Sequence, residues 1–463
     1  MVTERRLGVN PIEISPVLAT IPSYKEFKTG SELQAGSKQL VKDYPALVDS
    51  GFLHMDVNFG RSTEGRPIEL MTVGKGKKKA LWVGTPHPNE AVGTLAIDFL
   101  SRYLCEHPEI TEKLDTTFVF IKNADPDGFV LNEAWLKGEM DPLKYALGFY
   151  RPPFKEQVEW GFPADYKDLH FHNPSAEVRT LMKAFKTYQP EFYYSLHNIG
   201  FRNPSYLLSH NIPNLYPTLE EIVTNQGQSV YTGDPEAPYY EKYADGFFGL
   251  PSLARMYDYF ASGKEKDVDM NQILGGANSR EYLQSKVPKA ISFMSEVPYF
   301  TADALEDETP SGMSRSDMLL VGAIKRKQIS SDMSEQFNAL QEKLPDSRLK
   351  RAVASRIELM NGYYATLQDE VKKPEYKEEA TKAEVYNAVQ VDSFHEVIQL
   401  GQVYQLALQA GEINQAEQIK AYIKIVIDAI NEISPIKPIP IQKLVAIQVG
   451  AGLVTQQHLS LAD

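Results

Sequence analysis

The stretch Ala80-Leu81-Trp82-Val83-Gly84-Thr85-Pro86-His87-Pro88-Asn89-Glu90, followed by the apolar-periodic run from Ala91 to Leu100, decides how the rest of the chain is read. Its Val, Leu and Trp residues predict a buried strand and the Gly/Pro punctuation ends it. Leu95, Phe99 and Tyr103 then recur at helical spacing. Strand, tight turn and helix in that order open an α/β unit, and such folds place ligands beyond the carboxyl ends of their strands. His87 and Glu90 sit in that turn. An imidazole and a carboxylate three residues apart can converge on one divalent cation, and zinc accepts N and O ligands together.

Working outward, three further apolar runs predict buried strands: Thr116 to Ile121, Pro190 to Leu196, and Ala290 to Ser295. The second ends at His197 and the third at Glu296, so strand ends supply two imidazoles and two carboxylates in all. Two His and one carboxylate leave a coordination position open for water, the arrangement of catalytic zinc rather than structural zinc. Glu296 beside that position could take the water's proton and pass it on.

Between these runs lie two long connections, at 133–175 and roughly 200–288, both rich in aromatic residues. Loops of that length in a compact domain are usually functional. The first contains His170 and His172, which would face one side of a strand and could bind metal. With no third ligand of suitable context nearby, they read as structural. Upstream, 31–48 predicts an amphipathic helix and 57–71 a hairpin. From about 330 the pattern changes to charged amphipathic helices over 333–344, 347–371, 382–409 and 413–433, which read as a separate all-α domain. The expected division is 1–329 and 330–463.

Composition narrows the function classes. With 61 acidic against 48 basic residues the net charge is −13, which speaks against nucleic acid or an anionic membrane as partner. The single cysteine, Cys105, excludes a disulfide framework and a cysteine-rich metal cluster, and fits a reducing compartment. Met1 to Asn10 lacks an apolar leader run, and no later run reaches the length of a membrane span, so the protein is expected to be cytoplasmic.

Taken together, Asp43-Tyr44-Pro45, Gly60-Arg61-Ser62-Thr63-Glu64-Gly65-Arg66-Pro67-Ile68, His87-Pro88-Asn89-Glu90, Asp125-Pro126-Asp127-Gly128-Phe129, Ser195-Leu196-His197 and Ser295-Glu296-Val297-Pro298 resemble the pancreatic-type zinc metallocarboxypeptidases in order and approximate spacing, over about 31–299. Periodicity alone gives only an α/β fold. The resemblance implies an α/β/α sandwich around a mixed, about eight-stranded sheet. It also implies one zinc per chain on His87, Glu90 and His197, Glu296 as general base, and removal of C-terminal residues from peptides. The chain departs from the family's pattern in its substrate contacts. Where the family commonly has an Arg that polarises the scissile carbonyl, Trp135-Leu136-Lys137 offers Lys137. The Asn-Arg pair that clamps the terminal carboxylate is absent, with Phe149-Tyr150-Arg151 nearest to it and Arg280 a second candidate; Tyr282 is a candidate for the Tyr that closes over substrate. Two other readings stay open. One is a zinc amidohydrolase or deacylase acting on small acylated amino acids; the other is a non-catalytic binding protein that keeps the fold.

Overall fold

The computed structural model describes residues 12–262, 274–372 and 374–462; the leader reading of Met1 to Asn10 lies outside them. Eleven strands concern the argument: β1 Leu53–Arg61, β2 Pro67–Val73, β3 Lys78–Gly84, β4 Thr116–Ile121, β5 Ala164–Tyr166, β6 Leu169–Phe171, β7 Phe192–Phe201, β8 Ser205–Leu208, β9 Glu241–Ala244, β10 Phe247–Gly249 and β11 Ile291–Thr301. Nine of them form one mixed sheet in the order β1-β2-β4-β3-β7-β11-β8-β10-β9, and the two-residue segment Lys437–Pro438 adds to β11. With that segment the sheet has ten strands, against the eight or so expected. Its centre, β4-β3-β7-β11, is parallel; the β1-β2-β4 margin is antiparallel, and on the other margin β8 runs antiparallel to β11, β10 parallel to β8 and β9 antiparallel to β10. The central strands are buried on both faces, which is why they read as continuous apolar runs rather than alternating ones.

Helices cover both faces. On one side Leu81, Val83, Val119, Ile121 and Tyr193 pack with Val178, Leu181 and Phe185 of the helix Ala176–Tyr188. On the other, Trp82, Phe118, Phe120 and Tyr194 share a core with the helix Val92–Glu106 and with the last helix, Ile441–Ala462. The α/β/α sandwich is thus present. A Cβ at Gly452 would lie 2.2 Å from the Trp82 ring, so only glycine lets that last helix come so close to the sheet.

The packing runs across the expected boundary at 329/330. One core runs through both parts: Ile441–Ala462 covers the sheet, and the helix Arg315–Leu340 crosses the expected boundary without a break. Amphipathic helices read alike whether they pack on one another or on a sheet, so the pattern could not tell these apart. The helix expected over 382–409 is interrupted by a π-turn at Asn387–Val391 before Asp392–Gln409. There the Ala388 carbonyl presses against Gly322, where a Cβ would be 2.2 Å away. Such π-turns often sit at functional sites, and Asn387, Ala388 and Val391 line the cavity described next. Among the described residues no helix is long and apolar enough to cross a membrane.

Candidate metal centre

Strand register assembles the site. Gly84 at the end of β3 lies opposite Leu196 on β7, and His197 on β7 lies opposite Glu296 on β11. The turn after β3 therefore opens beside His197, with Glu296 on the far side. Thr85 leads into that turn at φ +48, a strained conformation for a β-branched residue. It is held there because its hydroxyl donates to Asn123 Oδ1 and accepts from the Ala124 N–H. The helix that follows has no side-chain cap of its own. Instead the Ala91 N–H donates to the Tyr299 hydroxyl and the Val92 N–H to Asn198 Oδ1, so β7 and β11 fix the turn that carries His87 and Glu90.

His87, Glu90 and His197 converge, one ligand atom from each lying within 4.8 Å of the others, and all three are buried. His87 Nδ1 is 3.0 Å from Glu90 Oε1, and His197 Nδ1 is 2.9 Å from Glu90 Oε2. Yet Glu90 Oε2 and His197 Nδ1 make no hydrogen bond of acceptable geometry, although both are buried. Buried polar atoms are seldom left so. Ligand atoms aimed at one cation explain both the short separation and the poor alignment. The donor set, two nitrogens and a carboxylate, suits zinc.

Behind His197 stands a residue that the sequence did not single out. Glu159, buried, accepts from Ser195 (2.5 Å), Tyr193 (2.7 Å) and Ser279, and lies 3.8 Å from His197 Nε2. Ser195 also contacts His197 Nε2 at 2.8 Å. A carboxylate behind a metal-binding imidazole fixes its orientation and raises its basicity.

The electrostatics follow from crowding these charges out of water. Burial opposes a charge on His197, but Glu90, Glu159 and Glu296 outweigh it and raise the ring to about 10. Burial and then Arg151 drive His87 down to about 4. Burial also opposes ionisation of Glu90, yet the two imidazoles hold its carboxyl well below the usual range. Burial, then the Glu90 charge, pushes Glu296 up to about 8, and this carboxylate lies 3.8 Å from His197 Nδ1.

Of the four substrate-contact candidates, one is at the centre. Arg151 reaches Glu90 Oε1 at 2.9 Å and His87 Nδ1 at 2.9 Å, so its guanidinium shares the ligand atoms with any cation held there. Lys137 is not at the site: it pairs with Glu32 (2.6 Å) and Glu26 at the surface, because Glu32 belongs to a helix start close by. Arg280 donates to the Pro251 carbonyl and does not line the cavity. Tyr282 packs on Phe162 and Phe185, under the helix on the opposite face of the sheet. Spacing alone could not show which side of the short helix Ser279–Gln284 turns inward; Ser279 does. Arg202, missed by the sequence reading, is buried at the end of β7, stacked over Tyr231 and 3.1 Å from Glu236. Its only signal was an Arg five residues beyond His197, directly after Ile199-Gly200-Phe201.

His87, Glu90, Arg151, His197, Arg202 and Glu296 line one end of a cavity of about 680 Å³ whose other wall includes Arg326, Arg356, Asp392 and His395 from the later helices. Residues 37–202 match the zinc carboxypeptidase family model. The matched span includes His87, Glu90 and His197 and stops short of Glu296. No curated protein matches the chain in sequence. Solved structures similar to it include carboxypeptidase A from Helicoverpa armigera, at 16% identity over 62% of this chain and 69% of that one with a TM-score of 0.35. Bovine thrombin-activatable fibrinolysis inhibitor, solved with tick carboxypeptidase inhibitor, is 10% identical over 59% and 87% of the two chains, with a TM-score of 0.35. A metallo-carboxypeptidase from Burkholderia cenocepacia is 16% identical over 58% and 60%, with a TM-score of 0.34.

Proposed function

We propose that the protein is a zinc-dependent carboxypeptidase that removes residues from the C-termini of peptides, with one zinc at this centre held by His87, Glu90 and His197. The observation that carries this reading is the buried, unbonded approach of Glu90 Oε2 to His197 Nδ1 beside His87. Zinc bound there supplies Lewis-acid polarisation of the scissile carbonyl and lowers the pKa of water. Glu296 is the proton carrier: raised toward neutrality by burial and Glu90, it accepts the water's proton and delivers it to the leaving amine. Arg151 and Arg202 are the cations flanking the ligands on the cavity side. A guanidinium can grip a carboxylate through two parallel hydrogen bonds.

Digestion of a peptide library, read by mass spectrometry, tests the activity; trimming from the C-terminus is expected, and internal cleavage alone would overturn it. Glu296→Gln should keep zinc while kcat falls by two or more orders of magnitude. A near-normal rate would remove Glu296 from the mechanism.

One observation favours a second reading. Arg151 is engaged with Glu90 and Arg280 lies away from the cavity, so the terminal-carboxylate clamp is thinner than expected. A deacylase acting on small acylated amino acids needs less of a clamp. Equal turnover of free-carboxylate and amide-capped peptides would favour it.

A further inference from the structure

A second set of metal-binding side chains lies outside this centre. The strands β5 and β6 form a hairpin in which Asp165 is directly opposite His170, so the two share a face. His172 is two residues beyond His170 and returns to that face. Both imidazoles meet one carboxylate oxygen: His170 Nδ1 is 2.8 Å and His172 Nε2 2.9 Å from Asp165 Oδ1. The ligand atoms all lie within 4.8 Å of one another, and the three side chains are 60 to 62% exposed. The third ligand that the sequence did not show is thus supplied by pairing across the turn.

The geometry points to a second divalent-metal site on this hairpin, taking a first-row transition ion such as Zn²⁺ through Asp165, His170 and His172, with water completing the coordination. Metal–ligand bonds of about 2.0–2.1 Å put neighbouring ligand atoms about 2.9 Å apart at right angles and about 3.3 Å apart in a tetrahedron. Each imidazole nitrogen already stands at about the first spacing from the shared Asp165 oxygen, and the second asks for each to open by about 0.5 Å. Imidazole with a single carboxylate selects transition ions over Ca²⁺ or Mg²⁺, which prefer oxygen-rich sites. Exposure makes this site weaker and faster-exchanging than the buried centre. Its effect is to staple β5 to β6 across the Lys167–Asp168 turn, where Lys167 holds φ +53.

The test uses the full-length protein stripped with chelator, and titrates Zn²⁺ against wild type, His170→Asn and the double variant His170→Asn/His172→Asn. Wild type is expected to bind two equivalents and the double variant one, with the single variant weakening the second equivalent at least tenfold. Saturating zinc should also protect Lys167 from trypsin in wild type and not in the double variant, a readout independent of peptidase activity, which the substitutions leave unchanged. Equal stoichiometry in wild type and double variant, or tryptic cutting at Lys167 that zinc does not slow, would overturn the site. Loss of the tight equivalent alone would count against the buried centre and leave this one standing.

Discussion

Replacing Arg348 by Met should unfasten the later helices from the sheet region, and more so as pH rises. Arg348, at the start of the helix Arg348–Glu370, is 15% exposed and points into a nest of acids: Asp127 at 2.9 Å, Glu64 at 3.1 Å, Glu177 at 3.5 Å and Asp125 at 3.8 Å. Asp125, Asp127 and Glu177 are at most 4% exposed. Removing one partner of a buried charge cluster typically costs about 3–5 kcal/mol, since the remaining charges stay buried without it. With an unfolding entropy of about 2.1 cal/mol/K per residue, 463 residues give about 1 kcal/mol/K, so a drop of about 3–5 °C in Tm is expected if the chain melts as one unit. Arg66 still touches Asp127, which favours the lower figure. Burial, then the Glu177 and Asp127 charges, raises Asp125 to about 7 while Arg348 pulls it back. A carboxyl whose pKa is raised in the folded state takes up a proton on folding, so its contribution declines from about pH 4 to about pH 7 and is level above that. Without Arg348 the folded pKa climbs further, and the decline continues past pH 7 in the variant alone. Urea unfolding at about pH 5.5 and about pH 8.5 measures both effects; the gap between parent and variant should be wider at the higher pH. A gap below about 1 kcal/mol, or one equal at both pH values, would refute the assignment of Arg348 as the cation of this nest.

Three further outcomes follow from the centre. Glu159→Gln should weaken zinc binding about 10–100-fold, because it unfixes the ring of His197; an unchanged Kd in chelator competition would make Glu159 merely structural. Since carboxylates raise His197 to about 10, zinc binding near pH 7.5 should release about one proton per chain from that ring, falling toward none above about pH 10. Calorimetry in buffers of different ionisation enthalpy reads this directly, and proton uptake would contradict it. Arg202→Lys should raise KM for free-carboxylate peptides more than it lowers kcat, and no change in KM would take Arg202 out of substrate binding.

What the sequence made legible was whatever lies along one strand and its following turn. The strands β3, β7 and β11 are buried on both faces, so each shows as an apolar run, and the group able to bind metal or carry a proton that follows it is conspicuous: His87, His197 and Glu296, although β7 and β11 continue past the last two to Phe201 and Thr301. Register then does the rest, setting Glu296 opposite His197. Residues reaching the centre from irregular chain give no such signal. Glu159 stands between Val158 and Trp160 in a stretch without period, and nothing local distinguishes it from a surface acid. Lys137 and Tyr282 show the converse: each had the right spacing, yet one lies on the surface and the other under a helix on the far face. Two motifs that carried the resemblance also prove to be scaffold. Asp127 accepts from Ser62 at 2.6 Å and from the Glu64 N–H at 2.8 Å, while Asp125 caps its helix through the Gly128 N–H, so the Gly60–Ile68 and Asp125–Phe129 stretches brace each other rather than meet substrate.

The later helices bear on specificity for a reason the ligand motifs do not contain. They form the cavity wall facing the metal centre, and there each cation has an acid at hand: Arg326 is 3.0 Å from Asp392 and Arg356 2.6 Å from Glu396. Charge paired in this way steers an anion weakly, because gripping it means breaking an ion pair already made. Arg202 is paired in the same way, with Glu236 at 3.1 Å, so under the proposed function the cation that metal binding would release is Arg151. Arg151 is tied to Glu90 and His87, and a cation on those same atoms would weaken both ties, because Glu90 would then neutralise the ion instead. Under the proposed function, metal binding and the release of Arg151 are therefore coupled through Glu90 Oε1, which cannot serve both cations fully.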